Sequence, residues 1–212
     1  TDRTITLPDA TDTLIGTATS DALTTRINGA GGRKNMIING DMRVSQRGDY
    51  TGVTTAVDNT HYIDRHRMNV AVVTSTVQNT SVTINGVAKK ALRIAATSTG
   101  TGFLASYQTI EFANIRVGET YTVSCWVRSN NANTRFRHDN IGGVSADGTA
   151  FTNDGNWEKV SWTLDSTSTT TNPAFYLITY NSGNVSITNG DYIEFTDLQL
   201  EMGSVATNFE HR

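Results

Sequence analysis

Threonine fills about one position in six of this 212-residue chain, and it recurs in alternation with apolar side chains. A β-branched residue is restricted at χ1 in a helix and fits the pleated, half-wet face of a sheet. A helical bundle is excluded and strands are expected throughout. Thr, Asn, Ser and Gly stand where charge would otherwise be, since only 17% of the residues are charged, against about 25% in an average domain. With Lys+Arg 17 against Asp+Glu 20 and a formal net charge of -3, no positive excess exists to neutralise phosphates or to dock on an anionic bilayer. Nucleic acid and membrane insertion are therefore set aside as partners. The 37% of hydrophobic residues suffice for one core.

Cys125 is the only cysteine, so an internal disulfide and a thiolate metal site are out. No apolar run approaches the ~20 residues that span a bilayer, and Thr1-Asp2-Arg3 lacks a signal-peptide core. The start without methionine, where a strand-like pattern is already under way, is read as part of a longer polypeptide.

Period-2 stretches bounded by turn residues predict short antiparallel strands. Val82-Thr83-Ile84 and Val87 flank Asn85-Gly86, a dipeptide that tolerates positive φ at both central positions and closes a two-residue hairpin. Alternation also assigns faces. Tyr121, Val123, Cys125 and Val127 read as core, opposite Trp126 and Arg128; Leu92 and Ile94 oppose Arg93. Val160, Trp162 and Leu164 share a face, so Trp162 is expected to be packed. Phe175 and Leu177 alternate with Tyr176, Ile178 and Tyr180, which puts bulk on both faces and predicts a central strand. The stretch Asn28-Gly29-Ala30-Gly31-Gly32-Arg33-Lys34 reads as a flexible linker. It divides the chain into an extended N-terminal segment, 1–34, with one strand at 3–7 and a weak helical turn around Leu23 and Ile27, and a β-sandwich, 35–212. The first segment has too few apolar side chains to bury a core alone.

Four motifs in order, Asn35-Met36-Ile37-Ile38-Asn39-Gly40-Asp41, Gly118-Glu119-Thr120-Tyr121-Thr122-Val123-Ser124-Cys125-Trp126-Val127-Arg128, Gly155-Asn156-Trp157-Glu158-Lys159-Val160 and Tyr192-Ile193-Glu194-Phe195-Thr196-Asp197-Leu198-Gln199-Leu200-Glu201-Met202-Gly203, resemble the strand motifs of carbohydrate-binding-module-like jelly rolls. The opening at 35–48 and the ending at 199–212 are similar to a domain of tail fibres and related virion proteins of tailed bacteriophages, and 3–14 resembles a segment found upstream of such fibre tips. The resemblance implies an all-β antiparallel sandwich displayed on a virion as a homotrimer, among other virion proteins, for assembly and attachment to a host-surface glycan. A dedicated glycan-binding adhesin is the alternative. It also implies a structural calcium on Asp41 and Asp197. Here Met42 and Arg43 follow Asp41, and an arginine in that shell repels the cation, so no cofactor is expected. Tyr62-Ile63-Asp64-Arg65-His66 looks like the family's second strand, with His66 where an aromatic is familiar.

Sugar binding asks for aromatic faces beside planar hydrogen-bonding side chains. Trp126 with Arg128 is the best such pair, joined by Arg93, Arg137, Tyr176 and Tyr180 where their strands are neighbours; the other use of such a face is an interface between subunits. Catalysis is not expected. No two carboxyls are set to face one bond, Asp191, Glu194 and Asp197 read as solvated or capping acids beside turns, and His61 and Asp64 on one strand point to opposite faces.

Overall fold

The computed structural model describes residues 34–48, 50–71, 73–111, 115–168 and 172–212. The expected strand at 3–7, the turn near Leu23 and Ile27 and the linker up to residue 33 lie outside them. Among the described residues there is no helix, and thirteen strands follow in chain order: β1 (Thr54–Thr55), β2 (His61–Ile63), β3 (His66–Ala71), β4 (Ser75–Ile84), β5 (Val87–Ala96), β6 (Gly100–Thr109), β7 (Thr120–Ser129), β8 (Thr134–Ile141), β9 (Val144–Asp147), β10 (Glu158–Asp165), β11 (Ala174–Thr179), β12 (Val185–Ile187) and β13 (Tyr192–Met202). They form two antiparallel sheets, a first in the order β1-β4-β5-β13-β7-β10 and a second in the order β2-β3-β6-β11-β8-β9, with β12 on one end of β6. This is an antiparallel β-sandwich of the jelly-roll kind.

The alternation puts its apolar halves between the sheets. Tyr121, Val123, Cys125 and Val127 of β7, Leu92 and Ile94 of β5 and Ile193 and Phe195 of β13 meet Met68, Leu104, Phe136, Phe175 and Leu177 from the second sheet in one buried cluster. Burial pushes the Cys125 thiol well up, leaving it an inert core group. Trp162 packs on this core as expected and stacks on buried His138, centroids 5.3 Å apart. The expected hairpin joins β4 to β5, with Ile84 opposite Val87 and positive φ at both Asn85 and Gly86. β11 is indeed a central strand, flanked by β6 and β8.

The segment at 61–66 differs from its reading as one strand. Asp64 and Arg65 form a two-residue turn between β2 and β3, with Ile63 opposite His66 and Arg65 at φ 72. Asp64 is an ordinary turn residue, but Arg65 stands where Gly or Asn would mark the positive-φ position, so the two-residue hairpin signature was incomplete.

Two departures from regularity shape the first sheet. β13 shifts register between Thr196 and Gln199, around Asp197 at φ 53, a bulge that ends its pairing with β5 while pairing with β7 resumes. At that bulge the Leu198 N–H donates to the Gly40 carbonyl at 2.9 Å. The backbones approach so closely that a Cβ on Gly40 would lie 1.9 Å from the Leu198 oxygen, so only glycine fits there. The last ten residues then cross the outer face of the same sheet. Thr207 donates its N–H and hydroxyl to Glu201, Glu210 its N–H to Gln199, and the Arg212 carbonyl accepts from the Asn39 N–H.

Candidate functional site

The outer face of the first sheet carries a row of side chains brought into register by three neighbouring strands. Glu194 of β13 lies opposite Arg93 of β5 on one side and Arg128 of β7 on the other. Its carboxylate, only 1% accessible, accepts from Arg128 Nε at 2.8 Å, from Arg128 Nη2 at 2.7 Å and from Arg93 Nη1 at 3.1 Å on one oxygen, and from the Thr80 hydroxyl at 2.5 Å on the other. The two guanidiniums are capped in turn by aromatics, Arg93 over Tyr192 at 3.8 Å and Arg128 over Trp157 at 5.0 Å. A buried charge is tolerated only when paired and hydrogen-bonded. Glu194 meets both conditions, which corrects its reading as a solvated acid. Asp191 does cap a turn, accepting from the Thr188 N–H and from Asn131.

Beside this clamp lies a hollow of about 330 Å³ lined by Trp126, Lys89, Lys159, Asp197, Asn208 and Phe209. Trp126 sits opposite Thr196 and Lys159 on its neighbouring strands. The bulge aims Asp197 into the hollow, where it pairs with Lys89 Nζ at 2.6 Å. An indole, two ammonium groups, a carboxylate and an amide converge on one space open to solvent.

The outer face of the second sheet has its own row: Arg67, Tyr107, Tyr176, Arg137 and Asp147 stand opposite one another on β3, β6, β11, β8 and β9. The Tyr107 and Tyr176 rings stack on each other at 4.9 Å, so one face of each is already occupied. Arg137 reaches Asp139 and Asp147, each at 2.7 Å, beneath the Tyr180 ring. Burial and the nearby Asp139 push the Tyr176 phenol above its usual range.

The six residues expected to read sugar therefore divide. Trp126, Arg128 and Arg93 share one face; Arg137, Tyr176 and Tyr180 share the other, because β8 and β11 are not neighbours of β7. Arg128 and Arg93 serve Glu194 and hold the floor beside the hollow. Lys89, Asn208 and Phe209 were not expected from sequence. Phe209 and Asn208 arrive on the terminal segment, whose path no periodicity announces.

Asp41 and Asp197 do not fit calcium as placed. The Asp41 carboxylate is taken by Arg43 Nε at 2.9 Å and His211 Nδ1 at 3.0 Å, and Asp197 by Lys89. Among the described residues no group of three or more acidic, histidine or cysteine side chains is gathered for a metal, and Ca²⁺ wants six to eight oxygens.

No protein-family model matches the chain, and no curated protein matches it. Solved structures do. The enzymatically active domain of tailspike protein 4 of bacteriophage CBA120 is similar over 80% of this chain, at 14% identity and a TM-score of 0.50. This chain covers 22% of that one. The CBM22-1 xylan-binding domain from Paenibacillus barcinonensis Xyn10C is similar over 77% of this chain and 100% of its own, at 12% identity and a TM-score of 0.45. At such identities the likeness shows the fold alone.

Proposed function

We propose that this chain is a virion structural protein of a tailed bacteriophage, a fibre, spike or decoration subunit whose sandwich serves assembly and holds the particle on a host-surface glycan. The virion setting rests on the resemblance of 35–48 and 199–212 to such proteins. The glycan reading is carried by one observation: the Trp126 indole lines a hollow rimmed by Lys89, Lys159, Asp197 and Asn208, the pairing of apolar ring and hydrogen-bonding side chains that sugar recognition requires. The neighbouring Arg93–Glu194–Arg128 clamp keeps the β7 wall rigid. The reading is of binding without cleavage: Glu194 is engaged by two arginines and Asp197 by Lys89, whereas glycoside cleavage needs two carboxyls facing one bond. A homotrimer multiplies weak sugar contacts into avidity.

The test is an array of bacterial polysaccharides probed with the full chain, alongside light scattering. Selective binding that weakens about tenfold or more in Trp126→Ala is expected, from the lost stacking and apolar contact. Silence across the array, or binding indifferent to Trp126→Ala, sinks the glycan reading; a stable monomer sinks the trimer.

A further inference from the structure

A second feature lies at the edge of the other sheet. Two adjoining hollows, of about 330 and 350 Å³, share Arg65 as a wall. The first is lined also by His61, Arg67 and Glu111, the second by Arg47, Asp64 and Arg212. Four guanidiniums and an imidazole thus gather around two carboxylates, in a chain whose formal net charge is -3.

The acids do not neutralise the group. Glu111 reaches Arg212 at 3.3 Å and Arg65 only at 3.8 Å, and Asp64 accepts from the Gln46 N–H. Arg67 Nη2 is held by Asn59, while its Nε is buried without an acceptor among the described residues. Burial, followed by the fields of Arg67, Arg47 and Arg65 and opposed by Asp64, holds the His61 imidazole below its usual range.

The backbone points the same way. Among the described residues, ten non-glycine residues have positive φ and six of these are asparagines, the residue that tolerates this region best. Arg65 is the one arginine among them, at φ 72. A guanidinium stands where Asn would be relaxed, and strain of this kind clusters at binding sites.

We propose that the hollow between the β2–β3 turn and the end of β6 is an oxyanion site. It takes a phosphate or carboxylate group, free or carried on a saccharide, between Arg65, Arg67 and His61. Guanidiniums suit this ligand because their planar forks match paired oxygens.

The experiment is an amide and Arg Nε NMR titration of the full chain at matched ionic strength. Inorganic phosphate, galacturonic acid, mannose 6-phosphate and neutral galactose are the four probes. Saturable shifts at His61, Arg65 and Arg67 with the anions, and none there with galactose, are expected. Phosphate against mannose 6-phosphate separates a free anion from one carried on sugar. Arg65→Asn relieves the backbone and removes the guanidinium, so it should melt no lower than the parent while binding anions about tenfold more weakly. Shifts that rise without saturating for every anion, or anion affinity unchanged in Arg65→Asn, overturn the site. Neither outcome bears on the Trp126 hollow, which the polysaccharide array tests separately.

Discussion

Replacing His66 by phenylalanine should remove most of an acid sensitivity built into the core. His66 is 1% exposed, its ring edge against Phe195 and its Nε2 3.2 Å from the Asn39 carbonyl. Burial pushes its pKa down to about 4 from an ordinary 6.5, the nearby carbonyl opposing only weakly. The fold therefore favours the neutral ring, and the unfolded chain takes up a proton first as pH falls. Stability attributable to this residue is intact above about pH 7, declines as pH drops below 6.5 and levels off once pH passes below 4. At 1.36 kcal/mol per unit, the shift amounts to about 2 kcal/mol lost between pH 7.5 and 5, and about 3 kcal/mol by pH 4. Phenylalanine keeps a flat ring beside Phe195 and cannot titrate. The Asn39 carbonyl is not orphaned, because it also accepts from the Met42 N–H at 3.1 Å. The assay is urea unfolding of parent and His66→Phe at several pH values from 7.5 to 4. Other titrating groups, His138 and the carboxylates included, contribute to both proteins and cancel in the difference. A stability difference that does not change with pH would refute the reasoning, whatever its size at pH 7.5.

Glu194→Ala leaves Arg93 and Arg128 facing one another without their shared carboxylate, and should cost about 3 kcal/mol, or roughly 6–12 °C in Tm for a domain of this size; an unchanged melting curve by circular dichroism would mean the clamp contributes nothing. Gly40→Ala forces a methyl group into the Leu198 carbonyl and should destabilise by about 3 kcal/mol or more, read as rapid hydrogen exchange at the Leu198 amide. An alanine variant with native protection there would show that the 1.9 Å approach relaxes freely.

Where the chain repeats with a short period, its own order reveals the fold. The Tyr121-to-Val127 face, the Asn85-Gly86 hairpin and the central position of β11 all follow from local alternation, because a strand's two faces are decided by immediate neighbours. What stayed hidden depends on partners far away in sequence. Nothing near Glu194 announces that β13 will lie between β5 and β7, more than sixty residues upstream, and without that pairing an acid close to a turn looks solvated. The division of Trp126 from Tyr176 has the same origin: both alternate correctly, but strand order assigns them to opposite sheets. The Arg65 turn was missed for the converse reason, a local conformation adopted by a residue that does not ordinarily favour it.

The placement of β13 fixes when this molecule can become itself. Strands β5 and β7 are both synthesised before β13, so the inner edge of each stays open until the strand that fills the gap follows. Until it is released, each edge offers bare amides and carbonyls to any neighbouring nascent chain. The sandwich closes only when residues 192–202 enter between two waiting strands and the segment that follows them fastens onto residues 35–41.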